Sequence, residues 1–147
     1  MPHTNVPPGR IRWDVPNKVV TISFLDTRGR LPTRSGLNWG QRNGRDPYQA
    51  YLSIKSTARQ NGFLPPRAVP FILHTDDNQS FTCVMAQDGH KALETQNDNS
   101  ELGRYIRQRI GVCSGRLIDL NDLANYGRTD FTIIKNNNGT YTLDLSV

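Results

Sequence analysis

Val19-Val20-Thr21-Ile22-Ser23-Phe24-Leu25, halted by Asp26-Thr27-Arg28-Gly29, is the stretch on which the fold class turns. β-Branched and aromatic side chains dominate it, and these fit a pleated surface better than a helix. The cluster that follows is rich in turn formers, so a strand is predicted over 19–25. The same signature recurs outward along the chain. Residues 48–54 alternate apolar with small or polar side chains, and 69–75 and 81–86 flank the turn Asp76-Asp77-Asn78-Gln79. Leu117-Ile118 reads as a short strand, and 129–135 with 140–146 forms a terminal hairpin closed by Asn136-Asn137-Asn138-Gly139. About seven short strands predict a mainly β fold with short helices, built as a small barrel.

Three helical segments interrupt the strands. Residues 56–61 precede Gly62 and Pro65-Pro66, and 121–126 reads as one helical turn. The clearest helix starts at Asp98-Asn99-Ser100-Glu101, which has capping-box spacing, and ends at Gly111. Leu102, Tyr105, Ile106 and Ile110 fall on one stripe of it, leaving Arg104, Arg107, Gln108 and Arg109 for solvent or phosphates. Gly103 inside that helix costs ~1 kcal/mol relative to Ala, which points to close approach by another backbone or by DNA. Residues 87–96 are polar and read as exposed.

A chain of 147 residues with 35% hydrophobic content has room for one core. Residues 1–17 carry Pro2, Pro7, Pro8 and Pro16 and read as a linker or N-terminal arm, leaving 18–147 as the domain. No apolar run reaches the ~18 residues of a membrane span, and no export signal is visible, which predicts a soluble chain. Cys83 and Cys113 suggest neither a disulfide framework nor a metal knuckle, and both read as ordinary buried thiols. The sequons at Asn78 and Asn138 read as turns.

Charge is distributed unevenly. The net charge is +5, and Arg28, Arg30, Arg34, Arg42 and Arg45 stand in a segment with no acid, so they account for the whole surplus. Of the 18 basic residues only four are lysines, and a planar guanidinium is the better fork for a phosphate or a guanine edge. Between Arg34 and Arg45 the arginines are interleaved with Asn38, Gln41, Asn43, Trp39 and three glycines. Asn and Gln pair with adenine and Arg with guanine, so one segment carries the side chains of major-groove readout. Trp39 is placed either to stack on a base or to pack the segment against the barrel.

Familiar catalytic arrangements fail on spacing. None of the four lysines follows an acid at two positions, as a metal-dependent nuclease core requires, and no His-x-Lys pair of the phospholipase D type is present. There is no Gly-x-Ser-x-Gly elbow, phosphate-binding loop or dinucleotide turn. Cys-x-x-Cys and His-x-x-x-His are also missing, so no cofactor or metal is expected, and Asp76-Asp77 beside His74 reads as a hairpin tip.

The string Ser35-Gly36-Leu37-Asn38-Trp39-Gly40-Gln41-Arg42 is specific, and shorter pieces follow it in order. They include Ala50-Tyr51, Pro70-Phe71, Thr75-Asp76-Asp77, Ser80-Phe81-Thr82-Cys83-Val84, Gln87-Asp88, Lys91-Ala92-Leu93, Leu102-Gly103-Arg104-Tyr105 and Tyr126-Gly127-Arg128-Thr129-Asp130. Over most of 18–147 the chain resembles the C-terminal region of NgoFVII-type restriction endonucleases. The resemblance implies a seven-stranded open pseudobarrel of the B3 DNA-binding type, whose partner is double-stranded DNA. It further implies a phospholipase D-like nuclease domain upstream in a longer protein of the bacterial cytoplasm, so that this chain alone is not an enzyme.

Two arms of such a domain enter the major groove. Carried over, the first is 28–45, with Arg28, Arg34, Ser35, Asn38, Trp39, Gln41, Arg42 and Arg45 as DNA-binding residues. The second is 87–96, with Gln87, Asp88, His90, Lys91 and Gln96, and Arg104 joins them from the helix. Asp88 carries particular information, because a carboxylate repels phosphate but accepts from a cytosine amino group. Two competing readings stay open on the residues alone. One is a barrel for single-stranded nucleic acid or RNA, which would use aromatic platforms. The other is a standalone enzyme using the arginine segment as an anion clamp.

Overall fold

The computed structural model describes residues 3–59, 62–87 and 91–147. Among these, eight strands form a single sheet: β1 (Ile11–Val15), β2 (Val19–Ser23), β3 (Leu52–Ser53), β4 (Phe71–Thr75), β5 (Ser80–Ala86), β6 (Ala92–Thr95), β7 (Asp130–Lys135) and β8 (Tyr141–Asp144). Their order is β1-β2-β7-β8-β4-β5-β6-β3, so β1 and β3 are the two edges. The β4–β8 pair is parallel and the remaining pairs are antiparallel. Two helices, α1 (Ser100–Ile110) and α2 (Leu120–Tyr126), accompany the sheet. The fold is mainly β with few short helices, as expected, but with eight strands rather than seven.

Two strands appear where none was expected, β1 and β6, while the strand expected at 117–118 is absent; β1 comes from the segment read as an arm. Ile11 and Trp13 alternate with Arg12 and Asp14, and β1 pairs with β2 in the register Ile11↔Ile22, Trp13↔Val20. Upstream of it, Val6 N–H and His3 Nε2 reach the Asp130 carboxylate at 2.7 and 2.6 Å, and Thr129 N–H donates to Asn5 at 2.9 Å. Residues 3–15 are therefore stitched onto the sheet; the alternation of Ile11, Trp13 and Val15 is present in the sequence, but the flanking Pro7, Pro8 and Pro16 favour its reading as an arm. β6 likewise corrects the reading of 87–96 as an exposed stretch, since Ala92, Leu93 and Thr95 are buried.

Two expected strands shrink or vanish because their backbone groups are committed elsewhere. Of 48–54 only Leu52–Ser53 pairs as a strand, because Ala50 N–H donates to Asn99 O and Tyr51 N–H to Gly36 O. At Ile118 both the N–H and the carbonyl are taken by the Asn38 side chain, so no ladder forms there. Within the helix expected over 56–61, Ser56–Ala58 form a 3-10 turn, and 60–61 lie outside the described residues.

The core joins Val20, Ile22, Leu52, Leu73, Met85, Leu93, Phe131, Ile133 and Leu143 of the sheet to Leu102 and Ile106 of α1 and Leu123 of α2. The α1 stripe is buried as its spacing requires. The chain at its start is held by Asp98, which accepts from Ser100 N–H and Oγ at 2.9 and 2.7 Å, instead of by a full capping box. Gly103 lies against the carbonyl of Tyr48, and a Cβ there would run into that oxygen. Backbone, then, is what approaches this glycine.

Arg107 corrects the reading of α1's polar face. It is 1% exposed and donates to Ser114 O and Arg116 O at 2.7 Å each. Burial lowers its pKa, and its partners are carbonyl dipoles rather than a carboxylate. Arg109 is likewise committed, to Asp76 and Asp77 at the β4–β5 turn, so that turn is a hairpin tip closed by an ion pair. Cys83 is buried, and burial pushes its thiol up to about 12. Cys113, expected to be buried, is exposed in the loop whose carbonyls face Arg107. The sequon residue Asn78 adopts φ 69° in the β4–β5 turn, and Asn138 with Gly139 closes β7–β8.

Candidate nucleic-acid interface

The first arm begins with a closed turn. Asp26 accepts from Arg28 N–H and Arg30 N–H at 2.9 and 3.0 Å, and Gly29 takes φ 78°. Those backbone donors, Arg30 first, hold the Asp26 carboxyl below its ordinary range. Arg28 and Arg30 are left with exposed side chains. The chain then winds through the 3-10 turn Gly36–Gln41, which buries Leu37, Asn38 and Gly40.

Asn38 is fully buried, and both ends of its amide are used. Nδ2 donates to Pro32 O and Ile118 O, and Oδ1 accepts from Ile118 N–H, all at 2.9 Å. No capacity remains for an adenine edge, so this residue anchors the arm instead of reading DNA from it. Gln41 does the same at longer range, donating to Gly115 O at 3.1 Å and to Pro47 O at 3.3 Å. At Gly40 a Cβ would meet the carbonyl of Asp46, so the neck of the arm closes only around glycine. Ser35 precedes the turn with an extended backbone, and its hydroxyl makes no capping bond.

Trp39 is half-buried and packs within the arm. Its ring meets Tyr51 edge-on at 5.3 Å, and the Arg45 guanidinium lies 4.0 Å over its centroid. Arg45 also donates to Gln49 at 2.8 Å, and Arg42 donates to the Arg34 carbonyl at the same distance. Among the described residues none of Arg28, Arg30, Arg34, Arg42 and Arg45 forms an ion pair with a carboxylate. Elsewhere Arg12, Arg109, Arg116 and Arg128 do, with Asp14, Asp76, Asp122 and Asp130. Arm one thus gathers five arginines with no carboxylate in ion-pair contact.

The second arm is the connection from β5 to β6. Gln87 opens it in the left-handed region at φ 65°, an uncommon conformation for a residue with a side chain. Asp88 and His90 lie outside the described residues. Lys91 is exposed, with its carbonyl fixed by Ile54 N–H at 2.7 Å, and the exposed Gln96 donates its N–H to Thr82 O at 3.0 Å. β3 brings the two arms together, because Ser53 pairs with Ala92 at the foot of arm two and the adjoining Tyr51 bonds to Gly36 of arm one.

Arg104 stands at the rim with an exposed guanidinium 4.5 Å over Tyr48 and 3.6 Å from Asp46. Two further residues bear on the site: Arg107, read from sequence as free for solvent or phosphates, and Glu94, which sequence reasoning passed over. Arg107 also reaches Pro47 O at 3.5 Å and so braces the root of arm one. Glu94, on β6, has its pKa raised by burial, with Arg45 opposing the shift. An acid at an alternating strand position carries no signal that separates it from an ordinary solvent-facing residue.

Among the described residues no three metal-ligating side chains gather, and no helix is long and apolar enough to cross a membrane. The fold is a mainly β sheet that projects an arginine-bearing loop free of acids. The chain belongs to the family of NgoFVII C-terminal B3-like DNA-binding domains, whose model matches residues 14–137. No curated protein matches it.

Proposed function

We propose that this chain reads a specific sequence of double-stranded DNA as the target-recognition part of a restriction endonuclease. Its two arms, 28–45 and the part of 87–96 that precedes β6, enter the major groove. The sheet forms the B3-type open pseudobarrel behind them. Cleavage belongs to a phospholipase D-like domain upstream in a longer protein of the bacterial cytoplasm. The observation that carries this reading is the clustering of charge: five arginines of arm one stand together without a carboxylate in ion-pair contact, whereas Arg12, Arg109, Arg116 and Arg128 elsewhere are paired.

We assign the arms' residues by role. Arg28, Arg34, Ser35, Arg42 and Arg45 supply contacts from arm one, while Asn38, Gln41 and Trp39 hold its shape. Gln87, Asp88, His90 and Lys91 supply arm two, whereas Gln96, bonded to Thr82 at the far end of β6, lies away from it, and Arg104 meets a phosphate at the rim. Sorting phosphate from base contacts follows from salt dependence, since each phosphate-bound cation adds about one to the salt slope.

Selection of bound duplexes from a random pool, sequenced and followed by affinity measurements at several salt concentrations, tests the reading. An enriched site is expected, and the single strands of that site should compete poorly. Equal competition by single strands would favour the barrel for single-stranded nucleic acid. Incubation of the purified chain with DNA and divalent metal should give no cleavage. Nicking activity that tracks with the protein through purification would overturn the division of labour.

A further inference from the structure

The segment 51–55 runs between the two arms, and its bonds fix it there. On one side Ser53 pairs with Ala92, and Ile54 N–H donates to Lys91 O at 2.7 Å, both at the foot of arm two. On the other side Tyr51 N–H donates to Gly36 O at 3.2 Å, and the Tyr51 ring meets Trp39 edge-on, both in arm one. Successive side chains of an extended segment alternate between its faces. Leu52 and Ile54 are 0% and 1% exposed and enter the core. Ser53 and Lys55 therefore turn to the opposite face, where Ser53 is exposed and Lys55 partly so. A cleft on that face is lined by both of them, by Asp26, and by Leu31 and Ser35 of arm one. Among the described residues Lys55 forms no ion pair. The acid of the cleft, Asp26, is occupied by the N–H groups of Arg28 and Arg30, and residues 47–75 contain no acid at all.

We infer that Lys55 binds a phosphate of the DNA backbone on the floor between the arms, a third point of attachment that belongs to neither of them. The inference rests on the proposed DNA reading and deepens it. A duplex gripped by both arms presents its backbone to the floor that joins them. An ammonium on a flexible stem is a compact charge that meets a phosphate without a fixed geometry, whereas a base edge is better matched by the planar fork of arginine. The exposed Ser53 hydroxyl beside it is a second donor of the kind that contacts phosphate oxygens. Neutralising that phosphate releases its condensed counterions, so Lys55 adds affinity without adding preference for any base.

Affinities of the wild-type chain and of Lys55→Ala, Lys55→Arg and Lys18→Ala, measured from low to high salt on the selected and on a random duplex, test this. Lys18 is an exposed lysine just ahead of β2, at the end of that strand opposite to the start of arm one, and serves as the charge control. Lys55→Ala is expected to weaken binding roughly 5- to 10-fold on both duplexes at about 0.1 M salt and to reduce the salt slope by about one. Its base preference should hold at every position, which also shows that the variant is folded. Lys55→Arg should keep the wild-type slope, and so should Lys18→Ala. An unchanged slope in Lys55→Ala overturns the inference. So does a loss confined to the selected duplex with preference lost at one base pair, because Lys55 would then read a base. An equal drop in slope for Lys18→Ala overturns it as well, since net charge alone would then be at work. A wild-type chain that binds neither duplex defeats the DNA reading itself, and the inference falls with it.

Discussion

Asn38 shows how one side chain exchanges an expected role for another. By type and neighbourhood it belongs with the base readers, yet its amide is spent on Pro32 and Ile118 inside the protein. Asn38→Ala would leave the Ile118 N–H and two carbonyls without partners, at a cost of roughly 1–3 kcal/mol for a buried unsatisfied group, with more from the rest. We expect a stability loss of about 2–4 kcal/mol in urea unfolding. The fraction that remains folded should keep its base preference at every position. A shift in preference without loss of stability would return Asn38 to the reading surface.

At the scale of elements, arm one and α1 depend on each other through Gly103, Tyr48 and Arg107. Helix propensity alone favours Gly103→Ala by about 1 kcal/mol. The Tyr48 carbonyl occupies the place of the new methyl group, and overpacking of this kind costs about 1–3 kcal/mol. A net loss in thermal stability is therefore expected, and a gain would show that the arm root yields. Within the arm, Arg34→Ala and Arg42→Ala separate two kinds of contact. A bidentate guanine contact should cost ~1–3 kcal/mol on the selected duplex and much less on random DNA. Equal losses on both would mark a phosphate contact.

Across the whole molecule, Asp76 ties three distant parts of the chain together. It accepts from Arg109 of α1 at 2.9 and 2.6 Å and from Leu145 N–H beyond β8 at 3.0 Å, while standing itself in the β4–β5 turn. Burial works to raise its pKa, but these donors outweigh it and hold the carboxyl below its ordinary range. The folded chain thus binds that proton less tightly than the unfolded chain. The stabilisation is complete above the unfolded pKa of ~3.9 and is lost as pH falls through the depressed folded value. Asp76→Asn should be less stable at neutral pH, and the difference from wild type should shrink in urea titrations taken down through that range. Asp122, pushed down to about 2 by Arg116, contributes its own share of the acid limb and should be unaffected by the change.

Much of the sheet was legible from local pattern. β2, β4, β5, β7 and β8 carry β-branched runs bounded by turn residues, and α1 carries a 3.6-residue stripe, so short windows suffice to recognise them. The arginine surplus of arm one was equally plain, because charge is a property of composition and needs no fold. What local pattern missed were β1 and β6. β1 forms a local hairpin with β2, but the chain leading into it is held by the distant Asp130, and β6 is flanked by the neighbouring β5 and the distant β3. The strand expected at Leu117-Ile118 failed because a side chain eighty positions away took its backbone bonds. The site divides along the same line. That arm one is basic follows from sequence, whereas the separation of free arginines from committed amides depends on where each polar group finds a partner. Partners for buried polar groups are set by three-dimensional packing, in which the desolvation cost of an unmet hydrogen bond outweighs any local preference.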